Sequence, residues 1–248
     1  MKLLTNTNRA NTNLTKINLI NTNLTGKKHP VKFFNYVYFL LSIFLSSAVI
    51  AQDDEMTKYL PSGCYHAGEY QQKKTITGVD IALNTIGTFV FNCDQGLIWH
   101  TQTPIHETLI YKIKGRHSII NSEGIIKNLD GRIHRELGKL LTNLIGGNKE
   151  YLTQHFSSAP IHTDNTKKDA TSGIELTPKN KQMQKFLHSL QITPDTEAVN
   201  ITLFLAEKET TQIRISDLKS FSEMTQSQCI AIATLPSLAC DALFKGNK

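Results

Sequence analysis

The stretch that decides the fold is GTFVFNCDQGLIWHTQTP, residues Gly87 to Pro104. It contains two short apolar runs, Thr88–Cys93 and Leu97–Thr101, separated by the polar break Asp94-Gln95-Gly96. Two apolar runs around a polar break of this length are typical of consecutive antiparallel strands joined by a tight turn. The stretch therefore predicts a β-hairpin at the centre of the fold.

Large apolar side chains dominate one face of this predicted hairpin. Because successive side chains of a strand point to opposite faces, Phe89 and Phe91 share one face, and Leu97 and Trp99 share a face of the second strand. No group of reactive side chains accompanies them. Such a surface suits a fatty or aromatic ligand, and it equally suits an ordinary hydrophobic core.

The surrounding sequence continues the strand pattern and then changes period. Residues 67–78, 108–113, 199–205 and 212–218 alternate as strands do. In RIHRELGKLLTNLIGG, apolar residues recur at helical spacing and end at Gly146-Gly147, which predicts an amphipathic helix. We expect further helices over Asn148–His155 and Lys179–Leu190. About eight strands with inserted helices predict an α+β fold, with an antiparallel sheet curved enough to enclose something.

The positive charge of the chain lies outside its predicted folded part. The formal net charge is +6, but residues 1–51 hold six of the 27 Lys and Arg residues and none of the 21 Asp and Glu residues. The remaining 21 basic residues match the 21 acidic ones. Nucleic-acid binders concentrate positive charge on the folded domain, so we expect no nucleic-acid partner.

The N-terminal segment has the form of an export signal. Lys27-Lys28 precede an apolar run over Phe33–Val49 that ends in small residues, and this order is typical of a cleaved signal peptide. We expect cleavage near Ala51 and export to the periplasm. Residues 1–30 are rich in Asn and Thr and cannot form a core, so they are either a long leader region or a start placed too far upstream.

All four cysteines follow this leader. An even number of cysteines in an exported chain indicates disulfides, and four cysteines allow three pairings. Proximity along the chain favours Cys64 with Cys93 and Cys229 with Cys240. None of them stands in a CxxC motif or beside a histidine at ligand spacing, so we expect no metal site and no cofactor.

The sequence contains no recognisable catalytic motif. GxSxG, HExxH, P-loop and GxGxxG patterns are all missing, and the histidines after the leader are scattered singly. We therefore expect no enzyme. A serine and a histidine brought together only by the fold would still make a periplasmic esterase-like enzyme, which is one alternative hypothesis. A disulfide-bonded interaction module with a sealed core is another.

Three groups of residues resemble one family in type and order. Gly68, Tyr70, Gln72 and Lys74 match an opening strand G-x-F/Y-x-Q-x-K, and Gly87-x-Phe89-x-Phe91 matches the next strand. Gly96-Leu97-Ile98-Trp99, followed by Thr103-Pro104, matches a third motif. Together they resemble the LolA-type outer-membrane lipoprotein carriers, in particular their divergent branch, over about residues 63–221.

This resemblance implies an unclosed, strongly bent antiparallel sheet whose concave face is covered by helices. It further implies a monomeric, non-catalytic periplasmic chaperone that shields the acyl chains of lipoproteins. The cargo would pass from an inner-membrane export complex to an outer-membrane acceptor. The sheet wall of this hypothetical cavity would consist of Phe89, Phe91, Leu97, Trp99, Leu109 and Tyr111. Its helical lid would consist of Leu137, Leu140, Leu141 and Leu144.

One departure from the family concerns the lid. The lipoprotein carriers have a Lys-Arg-Pro segment whose arginine holds the lid closed, whereas this chain has Asn92-Cys93-Asp94-Gln95 at the equivalent place. Either the lid is held differently or the cargo differs, and a glycolipid or polyene-type lipid is the alternative cargo. The expected organisation is a low-complexity start (1–30), a signal peptide (31–51), a carrier domain (52–221) and an apolar tail with a cysteine pair (222–248).

Overall fold

A computed structural model describes residues 58–78, 81–161, 173–232 and 234–245. The predicted leader and signal peptide, residues 1–51, lie outside these residues. Within them, eleven strands form one antiparallel sheet in the order β6-β5-β4-β3-β2-β1-β11-β10-β9-β8-β7. The strands are β1 (Tyr65–Thr75), β2 (Leu83–Asn92), β3 (Gly96–Thr103), β4 (Glu107–Lys112), β5 (Ser118–Ile120), β6 (Ile126–Asn128), β7 (Phe156–Ile161), β8 (Gly173–Pro178), β9 (Leu187–Pro194), β10 (Val199–Leu205) and β11 (Thr210–Ser220).

The described part of the chain also contains four α-helices. Two connect β6 to β7, namely α1 (Arg132–Ile145) and α2 (Lys149–His155), and two follow β11, namely α3 (Gln226–Ala231) and α4 (Ser237–Phe244). None of these helices is long and apolar enough to cross a membrane.

The sheet is open and strongly curved, as the sequence predicts. Its end strands β6 and β7 are not paired with each other. One apolar cluster nevertheless includes Tyr111 of β4 and Leu176 of β8, which stand seven places apart in the order. In a flat sheet these strands would lie about 34 Å apart. The sheet bends around this cluster, and α1 and α2 cover its concave face.

The opposite face carries a second apolar cluster under the C-terminal tail. Val90, Ile98 and Ile110 alternate with the concave-face residues and are fully buried. They pack in one cluster with residues of α3 and α4, and α4 lies over β3 and β4. The chain thus buries both faces of β2, β3 and β4, because α1 covers one and the tail covers the other.

One helix prediction is wrong. Residues 179–190 form a short 3₁₀ turn, Met183–Lys185, and then begin strand β9. The apolar spacing from Leu187 to Leu190 looks helical, but the pairing of β9 with β10 shifts by one residue between Phe204 and Leu205. This bulge turns Leu187 and Leu190 to the same face of the sheet, so an i, i+3 spacing arises within a strand. The expected count of about eight strands is too low because β9 overlaps this predicted helix and β7 follows directly on α2 without a break in the chain.

Candidate functional site

The predicted sheet wall is one continuous apolar surface on the concave face. Strand pairing aligns Phe91 with Leu97 and Leu97 with Tyr111, which forms one row across β2, β3 and β4. A second row runs parallel to it through Phe89, Trp99 and Leu109. Five of these six side chains are at most 5% exposed, and Leu109 is half-buried against the same cluster.

Aromatic stacking organises the second row, which contains Phe89 and Trp99. The rings of Tyr70 and Trp99 stack with centroids 3.9 Å apart, and Phe89 stacks on Trp99 at 5.9 Å. The hydroxyl of Tyr70 is 2.7 Å from Oγ1 of Thr101, which satisfies its polar end. Burial raises the pKa of Tyr70 to about 12, so this phenol is neutral at physiological pH. The floor of the concave face is therefore apolar and uncharged.

The helix α1 crosses the first row, which contains Phe91 and Tyr111, at close range. Gly138 lies against the ring of Tyr111 and Gly146 lies against the ring of Phe91, and a Cβ atom at either glycine would overlap the ring. Eight helical residues span about 12 Å, and two strand spacings span about 10 Å. The helix therefore runs across the strands from β4 to β2, with a glycine at each end of the crossing where the backbone touches an aromatic ring.

The structure brings nine of the ten predicted cavity residues into the concave cluster. On α1, Leu140 and Leu144 are at most 1% exposed, and Leu141 is half-buried against the cluster. Leu137 is half-buried and lies outside the cluster. These placements define a wall and a cover, and ligand binding by the ten residues stays a prediction.

The sequence prediction left out the part of the concave face that is formed by β8, β9, β10 and β11. Leu176, Leu190, Ile192, Ile201 and Ile213 are at most 3% exposed and belong to the same cluster. The alternation in β10 and β11 puts their apolar side chains on one face, so the signal was present. What the sequence lacked was the strand order, which places β11 beside β1 and so joins the two parts of the face.

Two disulfides fix the periphery, in the pairing that proximity favours. Cys64 is bonded to Cys93, and Cys229 is bonded to Cys240. The first disulfide fixes the segment that precedes β1. This segment lies near the end of α1, where Gly147 contacts the carbonyl oxygen of Pro61. The second joins α3 to α4. Two disulfides fit an exported protein.

A serine and a histidine lie within hydrogen-bond reach where the start of β1 pairs with the end of β11. Nδ1 of His66 is 3.2 Å from Oγ of Ser220, and Nε2 is 3.0 Å from the carbonyl oxygen of Gly63. A carbonyl can only accept, so Nε2 carries the proton and Nδ1 accepts from the serine hydroxyl. Burial lowers the pKa of His66. Among the described residues, no three His, Cys, Asp or Glu side chains are grouped to bind a metal.

Three cavities lie partly or wholly away from the concave cluster. A cavity of about 560 Å³ is lined mainly by polar side chains of β1, β2, β9, β10 and β11. A second, of about 400 Å³, lies between the tail and β1, β2 and β11. The third, of about 390 Å³, contains His100 and His106 beside the start of α4.

Comparison with known proteins gives similarity at the level of structure. No protein-family model matches the sequence, and no curated protein matches it. The MucA/MucB complex of Pseudomonas aeruginosa is similar at 9% identity over 72% of this chain and 60% of that one, with a TM-score of 0.37. A putative outer membrane lipoprotein-sorting protein domain from Vibrio parahaemolyticus is similar at 7% identity over 72% and 94%, with a TM-score of 0.38. A LolA superfamily protein from Nitrosomonas europaea is similar at 11% identity over 73% and 97%, with a TM-score of 0.40.

Proposed function

We propose that this protein is a non-catalytic periplasmic carrier that shields the acyl chains of a lipoprotein in transit to the outer membrane. The acyl chain would lie on the concave face, between the aromatic rows of β2, β3 and β4 and the helix α1. The observation that carries the proposal is the gathering of nine of the ten predicted residues into one apolar cluster beneath one helix. The order of the sequence motifs, which resembles that of LolA-type carriers, supports it independently.

The energetics favour exchange of helix contacts for an acyl chain. In the described state, α1 buries three large aliphatic side chains, Leu140, Leu144 and Ile145. Each contributes about 1.5–3 kcal/mol, so their packing contributes about 5–9 kcal/mol. An acyl chain that buries about 14 methylene groups gains about 11 kcal/mol. A long acyl chain can therefore offset the cost of lifting α1 off the sheet, and a short chain cannot.

The attachment of α1 suits such a movement. Its C-terminal half carries the buried leucines, and Gly146 and Gly147 continue the contact with Phe91 and Pro61. Its first four residues, 132–135, are all exposed. At Gly138 the helix presents no side chain to Tyr111, so this contact can separate without unthreading one.

The turn that stands in place of the lipoprotein carriers' arginine segment is organised by Asn92. At the equivalent turn, Oδ1 of Asn92 accepts from the backbone N–H groups of Asp94 at 2.9 Å and Gln95 at 3.1 Å. Its Nδ2 donates to the carbonyl of Met224 in the tail, at 3.0 Å. Asn92 therefore fixes the turn and the tail. Either the lid is held differently from that of the lipoprotein carriers or the cargo differs, with a glycolipid or polyene-type lipid as the alternative cargo.

The proposal includes a place in the cell and partners. The disulfides and the predicted signal peptide support export to the periplasm, with residues 52–221 as the carrier domain and 222–248 as its tail. The donor would be an inner-membrane export complex and the acceptor an outer-membrane protein, as the resemblance implies. We expect the carrier to act as a monomer.

A matched pair of ligands tests the proposal. A fluorescent triacylated lipopeptide and the same peptide without acyl chains are titrated into the purified protein. We expect saturable binding of the acylated form alone, because only the acyl chains match the apolar concave face. Binding of neither form, or equal binding of both, would contradict carriage.

The pair Ser220 and His66 favours a second candidate, an esterase-like enzyme. The hydrogen bond to Gly63 leaves Nδ1 of His66 free to accept the serine proton, which is the arrangement that a nucleophile and its base require. Hydrolysis of a model ester that is lost in Ser220→Ala would establish this activity. Equal background rates for the wild type and Ser220→Ala would leave the pair a structural link between β1 and β11.

A further inference from the structure

Cations collect where the β4–β5 loop meets the start of α1. The two segments are joined by a hydrogen bond from the backbone N–H of Leu129 to the carbonyl of His117, at 2.9 Å. The ring of His117 packs edge-on against Tyr111 with centroids 5.5 Å apart, and Gly138 of α1 lies against the same Tyr111 ring, so α1 runs beside this loop. We call this region the basic loop surface and define it by the residues Ile113, Lys114, Arg116, Arg132, Ile133 and Arg135.

The charge of this surface is local and is not neutralised internally. Residues 112–139 contain seven Lys and Arg residues against three Asp and Glu residues, although the chain after the leader is balanced. All four cations of the surface are exposed. Within the described ranges, no ion pair involves any of them, whereas Lys139 lies 3.9 Å from Glu136.

Two exposed aliphatic side chains stand among these cations. Ile113 is 47% exposed and Ile133 is 56% exposed. They flank Lys114 and Arg132 directly in the sequence, so each aliphatic side chain is next to a cation. A surface that combines basic and aliphatic side chains matches the interface of an anionic bilayer, where phosphates meet acyl chains.

We propose that the basic loop surface docks this protein onto an anionic phospholipid bilayer. Lys114, Arg116, Arg132 and Arg135 would contact lipid phosphates, and Ile113 and Ile133 would enter the headgroup region. A nucleic acid or an acidic protein would match the charge, but neither needs two exposed isoleucines between the cations. The bilayer is the partner that accounts for both kinds of side chain.

This docking would bring the free end of the lid to the membrane. The first turn of α1 supplies Arg132, Ile133 and Arg135, and it has neither an acidic residue nor a side-chain cap. Cations at a helix N-terminus oppose the helix dipole, and lipid phosphates would relieve that opposition. The inference goes beyond the proposed carriage, because docking requires no cargo and can be measured without one.

Vesicle flotation tests the inference with the exported protein and no cargo. The vesicles consist of phosphatidylcholine alone or of phosphatidylcholine with phosphatidylglycerol. We expect binding to the anionic vesicles alone, and we expect it to weaken as salt is added, because the Debye length falls to about 10 Å at 0.1 M. For Lys114→Gln with Arg116→Gln, we expect binding about 25-fold weaker, at about fivefold per cation near the surface.

The matched control removes two exposed lysines elsewhere, Lys181→Gln with Lys185→Gln, which lie before β9. We expect this control to bind as the wild type does. A third variant, Ile113→Ser with Ile133→Ser, should lose the binding that persists at high salt. Equal urea midpoints establish that all variants fold. Equal loss in the control, no preference for anionic vesicles, or no effect of the isoleucine changes would overturn the proposal.

Discussion

Gly138 of α1 lies directly against the ring of Tyr111 on β4, so close that a Cβ atom at this position would overlap the ring. Glycine in the interior of a helix costs about 1 kcal/mol relative to alanine. In α1 this unfavourable glycine stands at the interior position that faces the ring of Tyr111. The distance between the cover and the sheet is therefore set by a missing side chain.

Gly138→Ala should hold α1 away from the sheet. Alanine favours the helix itself, but overlap with Tyr111 should lower the free energy of unfolding by about 1–3 kcal/mol. We expect faster hydrogen exchange in α1 and stronger binding of an apolar dye. Adding Tyr111→Leu removes the ring and should restore slow exchange. Unchanged exchange in Gly138→Ala would show that the contact does not position the helix.

Leu141→Glu should impair cargo uptake more than folding. Leu141 is half-buried against the concave cluster, so a carboxylate there can reach water in the closed state but would meet the acyl chain in the loaded state. The measurement pairs lipopeptide titration with urea unfolding. Ile230→Glu on α3 is the control, because Ile230 is exposed and lies outside the concave cluster, and it should leave uptake unchanged. Equal losses of uptake and stability in Leu141→Glu would make this residue part of the core.

Removing the tail disulfide should lower the stability of the protein without impairing ligand uptake on the concave face. The bond between Cys229 and Cys240 closes a loop with a sequence separation of 11 residues, and loops of this size stabilise by about 3 kcal/mol. Cys229→Ser with Cys240→Ser should lower the free energy of unfolding by about that amount and expose the tail to proteases. Lipopeptide uptake should persist, because the tail covers the opposite face. Loss of uptake at intact fold would show that the faces are coupled.

His100 should make the protein less stable in mild acid. It is 6% exposed beneath the tail, and its Nδ1 is 2.9 Å from Oγ1 of Thr108. Burial lowers its pKa, and His106 lowers it further, while a hydrogen bond to the backbone of Glu107 acts in the opposite direction. His106 is the ionisable neighbour that affects it, whereas Glu107 acts through its backbone.

A histidine whose pKa is lowered by folding binds fewer protons in the native state than in the unfolded state. Its contribution to the free energy of unfolding is therefore complete above about pH 6.5 and decreases as the pH falls below that value. Urea unfolding at a series of pH values measures the slope. His100→Gln should lose less stability on acidification than the wild type. His66 and His117, whose pKa values are also lowered, should leave a residual slope, and an unchanged slope in His100→Gln would contradict this account.

The concave face of the central strands could be predicted from the sequence because the aromatic side chains there recur at every second residue. Phe89, Phe91, Leu97 and Trp99 are large and apolar, and a strand fixes which of them share a face. The helix α1 was predictable for the same reason, since six apolar residues recur at helical spacing before two glycines. These local patterns located both the sheet wall and its cover.

Other features depended on contacts between distant residues. The bulge between Phe204 and Leu205 decides that Leu187 begins a strand, and no residue near Leu187 indicates it. Ser220 and His66 stand 154 residues apart and meet only because β11 pairs with β1. Likewise, the contact of Gly138 with Tyr111 depends on the position along β4 at which α1 crosses the strand. Local periodicity contains none of this information.

The most direct test of the carrier proposal is mass spectrometry of material extracted from protein that was purified from its exporting cells without detergent. The account predicts an acylated species that is recovered with the wild type, retained by Ile230→Glu and depleted in Leu141→Glu. Recovery of no acylated species from the wild type, together with no binding of added lipopeptide, would contradict it.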